Sequence, residues 1–547
     1  QAVIDHLFWN FKRLSQNKAK NAFLQAASQY IRKLNLKEKD LTRLDSYQLI
    51  FLHGLRQNLS AKQISQKLIE KVRWIKLCGI LPLVKIKEQS LSSRALLGGI
   101  LPLYKITRKQ HKTIIKLTIL GGGLSAISLA CFLQNREDIA EINILEKEDR
   151  AGGLCRTFET NGIEYDVGPH IIFSKDKEIL DFMNGLLEDN IAQIRRSNRI
   201  LHQKRFVQYP FENDLSKLPE QDKNYCVNAF LHNPYENYDA QNMLQFFLKT
   251  FGEGITNTYL RPYNEKIWKY DPSFMDTQMV DRIPKPPKED ILRSAAGETV
   301  EGYLHQLYFT YPQQGGTEAL VKALIKRLSP KVKIHTGTEV LSVKKQQDIF
   351  IIETTKGSFS SERLVSTMPV NLLAKQYENT PEDIRKTAEE LKYNSIVIAV
   401  VNVKPDAAKD NFAFMIADKE VKFHRLSKLD FLGRHYHKEN SVSYMLEITY
   451  RKNDLTDLAS DEEITQQIID GLQKIGFISS QEDVNFTDLK RFEYAYVIYD
   501  LNHRRNMDKL KDYFKGEGIN LNGRFGSFEY LNMDAVIKQS KQLADNF

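Results

Sequence analysis

Apolar residues run from position 114 to 120, and a glycine-rich turn separates them from a second apolar stretch over 124–133. The first run predicts a buried parallel strand, and the second predicts a helix that begins directly after the turn. Residues 142–145 predict another buried strand, which ends at Glu146. This order predicts a strand–helix–strand unit of the kind found in doubly wound α/β folds.

The hydrophobic pattern changes along the rest of the chain. Residues 176–295 read mainly as helices, 306–370 mix strands and helices, and 395–450 alternate as strands do. A closing α/β segment follows. We therefore expect an α/β protein with a Rossmann-like domain built from non-contiguous segments, a helical domain and an antiparallel β-sheet domain.

The first part of the chain has its own pattern. Residues 1–76 carry apolar positions at helical spacing and predict a small α-helical extension. In the following segment, 77–115, residues 77–86 recur as a similar sequence at 97–106. Its mixture of glycine, proline, aliphatic residues and lysine fits contact with a membrane surface or a partner, and equally a strand pair or linker. The segment resembles the ends of bacterial polysaccharide glycosyltransferases.

Charge is distributed unevenly over the 547 residues. The net charge is +9, yet residues 1–116 alone contain 23 Lys and Arg against 6 Asp and Glu. The basic residues are spread along predicted helices rather than set beside stacking aromatics, so we expect anionic lipid or an acidic partner here and no nucleic acid. No apolar run approaches the ~20 residues of a membrane span, and no signal peptide is evident. We expect a cytoplasmic protein, peripheral at the inner face of the membrane.

The four cysteines give no sign of a metal site or a disulfide framework. Cys78, Cys131, Cys155 and Cys226 lie far apart, without CxxC or Cys/His ligand spacing. We therefore expect no bound metal.

The turn after the first strand has the spacing of a dinucleotide-binding loop. Gly121, Gly123 and Ala126 occupy the three small-residue positions of a GxGxxG/A turn, where a pyrophosphate can approach backbone amides at a helix N-terminus. Glu146 follows the first glycine by 25 positions, near the ~20 expected for a carboxylate that binds ribose hydroxyls. Together with the Gly152-Gly153 pair, this pattern predicts FAD and disfavours a glycine turn of another α/β unit.

Five further motifs resemble UDP-galactopyranose mutase over residues 116–547. They are, in chain order, 166–170 (DVGPH), 209–213 (YPFEN), 261–264 (RPYN), Trp268 with 282–284 (RIP), and 523–526 (GRFG) with 530–534 (YLNMD). Trp268 precedes Arg282 by 14 positions, the spacing of a loop tryptophan and an arginine in bacterial mutases. The last motif resembles bacterial members and the second and third resemble eukaryotic ones, which implies a divergent branch.

The resemblance also implies a division of the module. Segments 116–175, 306–370 and 500–547 would mainly bind FAD, 176–295 would form a helical substrate domain, and 395–499 would be mainly β-sheet. The sequences at 311–317 and 364–369 are similar to those of flavin amine oxidase-type folds.

The chemistry that the resemblance implies is the interconversion of a UDP-hexopyranose and a UDP-hexofuranose, which supplies furanose for surface polysaccharide. In the family, N5 of the reduced flavin attacks the anomeric carbon, a covalent flavin–sugar adduct forms, and UDP leaves and later returns. The protein must hold the departing diphosphate, and guanidinium groups do so with paired hydrogen bonds. Reduced FAD and a UDP-sugar are therefore the implied cofactor and substrate.

The resemblance assigns roles to individual residues. Arg282 and Arg425 match diphosphate-binding arginines, although Arg425 also fits a surface arginine on a strand. His170 matches a flavin contact, with a purely structural histidine as the alternative. The residues assigned to catalysis are Arg282, Arg425, His170, Tyr496 and Tyr530. Those assigned to substrate binding are Tyr209, Asn264, Trp268, Arg282, Arg425, Tyr496 and Tyr530. Those assigned to the cofactor are Gly121, Gly123, Leu124, Ser125, Glu146, Lys147, Gly153, Leu154, His170, Arg524, Asn532 and Met533.

Four departures from the family pattern leave the sugar open. Glu212 stands where eukaryotic members have an amide, Met415 where they have a tyrosine, Asn532 where bacterial members have an acid, and Val497 where a proline is usual. An N-acetylated, deoxy or uronic sugar fits as well as galactose.

Two other functions remain as alternatives. One is an FAD-dependent oxidase or desaturase of the amine oxidase or protoporphyrinogen oxidase type, which would share the fold and cofactor. The other is a non-catalytic partner recruited to a membrane or a glycosyltransferase by the basic segment. The arginines and tyrosines of the implied diphosphate site favour the mutase, because an oxidase of apolar substrates does not need them.

Overall fold

The computed structural model describes residues 114–283, 286–300 and 307–547, without the side chains of Asp281 and Arg282. The chain divides into two units, 1–107 and 108–547, and the described residues belong to the second. The predictions for the helical extension 1–76 and most of the segment 77–115 lie outside the described residues.

The described elements are strands and helices in a mixed order. The strands are β1 (Ile115–Leu120), β2 (Ile139–Leu145), β3 (Thr157–Thr160), β4 (Ile163–Asp166), β5 (Ala192–Arg195), β6 (Asn198–His202), β7 (Arg205–Gln208), β8 (Tyr308–Tyr311), β9 (Val332–His335), β10 (Val340–Gln346), β11 (Ile349–Thr354), β12 (Gly357–Ser361), β13 (Arg363–Ser366), β14 (Lys392–Val403), β15 (Ala413–Ile416), β16 (Arg425–Lys428), β17 (Val442–Tyr450), β18 (Val484–Ile498) and β19 (Ile519–Leu521). The α-helices are α1 (Leu124–Leu133), α2 (Lys177–Leu187), α3 (Glu220–Leu231), α4 (Met243–Ile255), α5 (Arg261–Trp268), α6 (Lys288–Ala295), α7 (Glu318–Lys326), α8 (Val370–Gln376), α9 (Glu382–Glu389), α10 (Leu455–Leu458), α11 (Asp461–Lys474), α12 (His503–Glu517) and α13 (Met533–Asp545).

The strands form one parallel sheet and several antiparallel or mixed ones. The parallel sheet has the order β19-β13-β1-β2-β9, so strands from distant parts of the chain lie side by side. A seven-stranded mixed sheet has the order β18-β14-β17-β16-β15-β6-β7, and β10, β11 and β12 form an antiparallel meander. The predicted α/β fold class, with a Rossmann-like domain of non-contiguous segments, is confirmed.

Burial explains the position of α1 beside the parallel sheet. Its residues 124–130 are buried on every side, because the sheet covers one face and α13 another. In α13, the buried positions Met533, Val536, Ile537, Ser540 and Ala544 follow helical spacing. The Ser540 hydroxyl donates a hydrogen bond of 3.1 Å to the Ser125 carbonyl and fixes the end of the chain beside the glycine turn.

The region 176–295, predicted to be helical, also contains strands. Residues 198–208 form β6 and β7, and β6 pairs in parallel with β15 at the edge of the seven-stranded sheet. These strands have only five and four residues, too few to give a clear alternation of apolar and polar positions. β6 is placed in the sheet by its pairing with the distant strand β15, and β7 pairs with β6.

Candidate active site

The glycine turn opens onto the larger of two adjoining cavities, of about 640 Å³. Helix α1 begins after Gly123 without a side-chain cap, so its first amides are left for an anion at the positive end of the helix dipole. Gly121 has a φ of +88°, and a Cβ there would lie 2.8 Å from the Thr367 hydroxyl. The turn therefore needs glycine, and its backbone can approach a phosphate closely.

Glu146 closes the turn from the end of β2. Its carboxylate accepts hydrogen bonds from the amides of Gly122 at 2.7 Å and Glu148 at 2.9 Å. Each carboxylate oxygen can accept a further bond, which suits the hydroxyls of a ribose. The side chain is buried and lines the larger cavity.

The second glycine pair lies against the first. The amide of Gly152 donates to the Gly122 carbonyl at 2.8 Å, and Gly152 pairs with Gly123 in an isolated bridge. A Cβ on Gly153 would stand 3.1 Å from the Gly123 Cα, at a φ of +59°. The two loops form a side-chain-free cradle that fits a dinucleotide pyrophosphate.

The structure brings most of the predicted cofactor residues to this cavity. Those that line it are Gly121, Gly123, Leu124, Ser125, Glu146, Lys147, Gly153, Leu154, His170, Arg524 and Met533. Asn532 instead lines the neighbouring cavity, directly before α13.

Arg156 lines the larger cavity and was not among the predicted cofactor residues. Its Nε donates to the Gly153 carbonyl at 2.9 Å, and its guanidinium lies 3.4 Å from the Glu148 carboxylate. The sequence could have indicated Arg156, because it follows the second glycine pair by only three residues. It places a cation beside the cradle.

A smaller cavity of about 260 Å³ adjoins the first and shares Leu154, His170, Arg524 and Met533 with it. Of the predicted substrate residues, Tyr209, Arg425, Tyr496 and Tyr530 line this smaller cavity. We call it the substrate cavity. A ligand in it would lie next to the end of a dinucleotide held in the larger cavity.

His170 stands where the two cavities meet. Its Nδ1 is buried and has no hydrogen-bond partner in the described structure. Burial, together with the nearby Arg524 and Arg425 guanidinium groups, lowers the pKa of His170 to about 3. The imidazole is therefore neutral at physiological pH, and its orphaned nitrogen is available to a bound cofactor or substrate.

Arg425 is held by a carboxylate that sequence reasoning missed. Arg425 on β16 lies opposite Glu447 on β17, and its Nη2 donates to Glu447 Oε2 at 2.7 Å while Nε donates to Oε1. Although burial opposes it, Glu447 raises the pKa of Arg425. The Tyr496 hydroxyl donates to the same carboxylate at 3.3 Å. Glu447 could have been noticed as the one acid in the buried strand 442–450, since a buried carboxylate requires a partner.

Arg524 and Arg196 add positive charge to the substrate cavity. Arg524 donates to the carbonyls of Leu531 at 2.8 Å and Ala495 at 3.1 Å, and its guanidinium lies 4.7 Å from the Tyr530 ring centroid. Arg196 was not predicted, because it lies between two short strands without a motif. Its guanidinium lies 5.3 Å from the Phe173 ring centroid.

Trp268 and Asn264 do not line the substrate cavity, in contrast to the prediction. Trp268 is the last residue of α5 rather than part of a loop. Its indole packs edge-on against Tyr496 and Tyr530, with centroids 5.7 and 5.8 Å away, and so stands behind both tyrosines. The Asn264 side chain is used within the helix, where it donates to the Leu260 carbonyl and accepts from the Trp268 indole at 2.8 Å.

Arg282 ends a short 3-10 helix over Thr277–Arg282. Its side chain lies outside the described structure, so its assignment to a diphosphate stays a prediction.

A family model described as flavin containing amine oxidoreductase matches residues 127–509. The chain belongs to this family.

Individual relatives differ in their activities. A crystal structure of reduced UDP-galactopyranose mutase is similar with a TM-score of 0.72 at 24% identity, covering 79% of this chain and 95% of that one. A structure of a putative protoporphyrinogen oxidase from Exiguobacterium has a TM-score of 0.64 at 16% identity, with coverage of 79% and 98%. These likenesses establish the fold.

Two relatives were found by sequence. Protoporphyrinogen oxidase of Dictyostelium discoideum is 19% identical over 528 residues, 79% of this chain and 99% of the relative. All-trans-retinol 13,14-reductase of Danio rerio is 26% identical over 232 residues, and that match spans 37% of either chain. The cofactor of the protein is FAD, in agreement with the family and with the cradle around Gly123 and Gly153. In the part of the chain that the structure describes, none of the helices has the length and apolar character of a membrane span.

Proposed function

We propose that the protein interconverts a UDP-hexopyranose and a UDP-hexofuranose, with reduced FAD as its working cofactor. The sugar would enter the substrate cavity, and UDP would leave the anomeric carbon and return to it after the ring has closed through another hydroxyl. The reaction has no net redox change, so a catalytic amount of reductant is enough to sustain it.

The observation that carries this proposal is the lining of the substrate cavity. Arg425 and Arg524 lie on it with Tyr496 and Tyr530, directly beside the FAD cavity. Such a set of donors suits the oxygens of a diphosphate, whose negative charge grows as the glycosidic bond breaks. An apolar substrate would offer no acceptor to the N–H groups of Arg425 and Arg524 that their protein partners do not use.

Arg425 keeps hydrogen-bonding capacity after pairing with Glu447. A guanidinium has five N–H groups, and the contacts to Glu447 use Nε and Nη2. Nη1 can therefore donate to a phosphate oxygen while Glu447 fixes the plane of the group. The single O–H of Tyr496 on β18 is donated to the same carboxylate, so it would donate to a phosphate oxygen only by turning away from Glu447.

His170 would orient the reacting groups instead of acting as a base at neutral pH. Its pKa of about 3 keeps the imidazole neutral, and protonation would place a third positive charge between Arg425 and Arg524. The unpartnered Nδ1 can hold a hydrogen bond to FAD or to a sugar hydroxyl. When bound and reduced, FAD would supply an electron-rich N5 as the nucleophile for the anomeric carbon.

An FAD-dependent oxidase or desaturase is the second candidate function. The match to a protoporphyrinogen oxidase over 79% of this chain favours it. This function would require an apolar wall beside the flavin. The substrate cavity does contain apolar residues, among them Ile171, Phe173, Ile396 and Phe412, but three arginines also line it, and an apolar substrate would have no anionic group for them to bind.

The two functions can be separated in one assay. The protein is reduced with dithionite under anaerobic conditions and incubated with UDP-galactose and with N-acetylated, deoxy and uronic UDP-hexoses, and the products are separated by chromatography. Furanose product from one of these sugars supports the mutase. Absence of turnover on the whole panel, together with oxygen-coupled oxidation of a porphyrinogen or another apolar substrate, would favour the oxidase.

The cellular role follows from the mutase activity. The furanose sugar would serve a glycosyltransferase that builds a surface polysaccharide, at the inner face of the membrane. Residues 1–113 would bring the enzyme to that transferase or to the membrane surface through their positive charge.

A further inference from the structure

The C-terminal end of α5 is capped by side chains of the seven-stranded sheet. The last four carbonyls of a helix have no partner within it. Here the Thr449 hydroxyl donates to the Lys266 carbonyl at 3.1 Å. The Asn394 amide donates to the carbonyls of Ile267 at 3.1 Å and Trp268 at 2.7 Å. The end of the helix is therefore fixed to the sheet by contacts that its own sequence does not provide.

Asn394 is itself held on its other side. Its Oδ1 accepts a hydrogen bond of 2.9 Å from Arg451 Nε, and Arg451 Nη2 donates to the Trp268 carbonyl at 3.3 Å. The Arg451 guanidinium also lies 4.8 Å from the Tyr270 ring centroid. Asn394 is fully buried. Both amide hydrogens and the carbonyl oxygen of its side chain nevertheless have protein partners, which are the three bonds to Ile267, Trp268 and Arg451.

The capped residues contact two tyrosines that line the substrate cavity, Tyr496 and Tyr530. Asn394 pairs with Tyr496 across β14 and β18, and the Trp268 indole packs edge-on against Tyr496 and Tyr530. The two tyrosine rings stack at 5.7 Å with an angle of 27° between their planes. A shift of Trp268 would remove the support behind both rings.

We propose that Asn394, oriented by Arg451, is a positioning residue that fixes Trp268 and thereby places Tyr496 and Tyr530 in the cavity wall. Asn394 does not line the substrate cavity. It acts through its hydrogen bond to the backbone carbonyl of Trp268. The consequence for ligand binding rests on the proposed function, whereas the position of Trp268 does not. The two can be measured separately.

The first measurement uses Trp268 as a fluorescent reporter. The chain has three tryptophans, so Trp9→Phe with Trp74→Phe in the full-length holoprotein leaves Trp268 alone. The parent should show blue-shifted emission and weak acrylamide quenching, because Trp268 is buried. Asn394→Ala should shift the emission to the red and raise the quenching constant several-fold. Unchanged emission and quenching would overturn the proposal.

Asn233→Ala is the matched control. The side-chain amide of Asn233 also donates to two consecutive helix carbonyls, those of Leu248 at 2.9 Å and Lys249 at 3.0 Å, but these belong to α4 and not to α5. It should leave the Trp268 signal unchanged. An equal change in both variants would mean general loosening and would overturn the proposal.

Two conservative variants keep the test decisive if Asn394→Ala folds poorly. Asn394→Asp keeps an acceptor for Arg451 but loses both donors to α5, so it should expose Trp268 as alanine does. Arg451→Lys keeps the charge but loses the Nε contact, and it should give a smaller change in the same direction. Parent-like quenching in both would contradict the role of the cap.

The second measurement is binding of UDP by calorimetry. If the wall is set by Trp268, Asn394→Ala should bind UDP about tenfold more weakly, equivalent to ~1.4 kcal/mol, with its flavin content unchanged. Normal affinity despite a displaced Trp268 would contradict the link from the cap to the wall. Absence of UDP binding in the parent would overturn the proposed function, and the fluorescence result would still decide the position of Trp268.

Discussion

The ion pair of Arg425 and Glu447 lies in the seven-stranded sheet and also lines the substrate cavity, so it affects both the stability of the sheet and the charge of the cavity. Glu447 is fully buried, and Arg425 with the Tyr496 hydroxyl supplies its side-chain hydrogen bonds. A buried carboxylate without its cation is costly, because it has lost its hydration. The residue that would bind the substrate is therefore also a residue on which folding depends.

Removal of Arg425 alone should destabilise the protein. We expect Arg425→Ala to lower the free energy of unfolding by about 3–5 kcal/mol, since it leaves the Glu447 charge buried and unpaired. Arg425→Ala with Glu447→Gln should recover much of this loss but none of the turnover. Urea denaturation and the mutase assay give both quantities. If the double variant is no more stable than the single one, Glu447 is not the group that Arg425 neutralises.

Glu212 should make stability depend on pH in the opposite sense to an ion-paired acid. Burial raises the pKa of Glu212 to about 7, from an ordinary 4.5. The folded state then binds the proton more tightly than the unfolded state, so stability falls as the pH rises from about 4.5 to about 7 and stays low above that.

Glu212→Gln tests this prediction. It should leave stability near pH 4.5 unchanged and increase it at pH 8 by at most about 3 kcal/mol, the equivalent of the pKa shift. Thermal unfolding of both proteins across this pH range measures the difference. A constant difference at every pH would show that Glu212 does not titrate in this window.

At the level of single residues, motifs identified the groups near the flavin but not their partners. Gly121, Glu146 and His170 could be predicted because they belong to local patterns with a fixed mechanism. Glu447 reaches the cavity through strand pairing, and Arg196 lies between two short strands, so no short motif indicates either residue. Asn394, which we propose to position Trp268, pairs with Tyr496 on the distant strand β18 and belongs to no local motif.

Among the elements, the two glycine loops determine whether FAD can bind. Gly153 has a positive φ and lies so close to Gly123 that a Cβ would have to displace backbone. Gly185 in α2 has no atom within 4 Å of a Cβ position and no positive φ, so an alanine there meets no obstacle.

We expect Gly153→Ala to lose most of its FAD, because the added methyl group intrudes between the loops. Gly185→Ala should retain FAD and gain slight stability, since alanine favours a helix by ~1 kcal/mol over glycine. The ratio of flavin absorbance to protein absorbance after purification measures the content. Full flavin in Gly153→Ala would show that the cradle tolerates a side chain.

Strands β1 and β2 could be predicted because their mainly apolar residues lie beside the glycine turn and before Glu146. The strands β6 and β7 could not be predicted, because four or five residues give too little pattern and β15, the second partner of β6, lies about two hundred residues away in the chain. Most of the long strand β14, which is buried along most of its length, lies in the region 395–450 that was predicted to form strands.

For the whole molecule, the division of the chain after residue 107 separates a basic segment from the flavoenzyme. Deletion of residues 1–110 should leave FAD content and turnover close to those of the full chain, because the cavities are lined by residues from 121 onward. Co-sedimentation with vesicles containing anionic lipid should fall, and more so at low salt. Loss of FAD on truncation would contradict the proposed boundary.

The most direct test of the account is a crystal structure of the reduced holoprotein with UDP. We expect the diphosphate oxygens within hydrogen-bonding distance of the Arg425 guanidinium and of the Tyr496 or Tyr530 hydroxyl, and an open space between the β-phosphate and the flavin for the sugar. UDP bound away from Arg425, or an apolar ligand of the cell occupying the cavity in its place, would contradict the proposal that this site holds an expelled diphosphate.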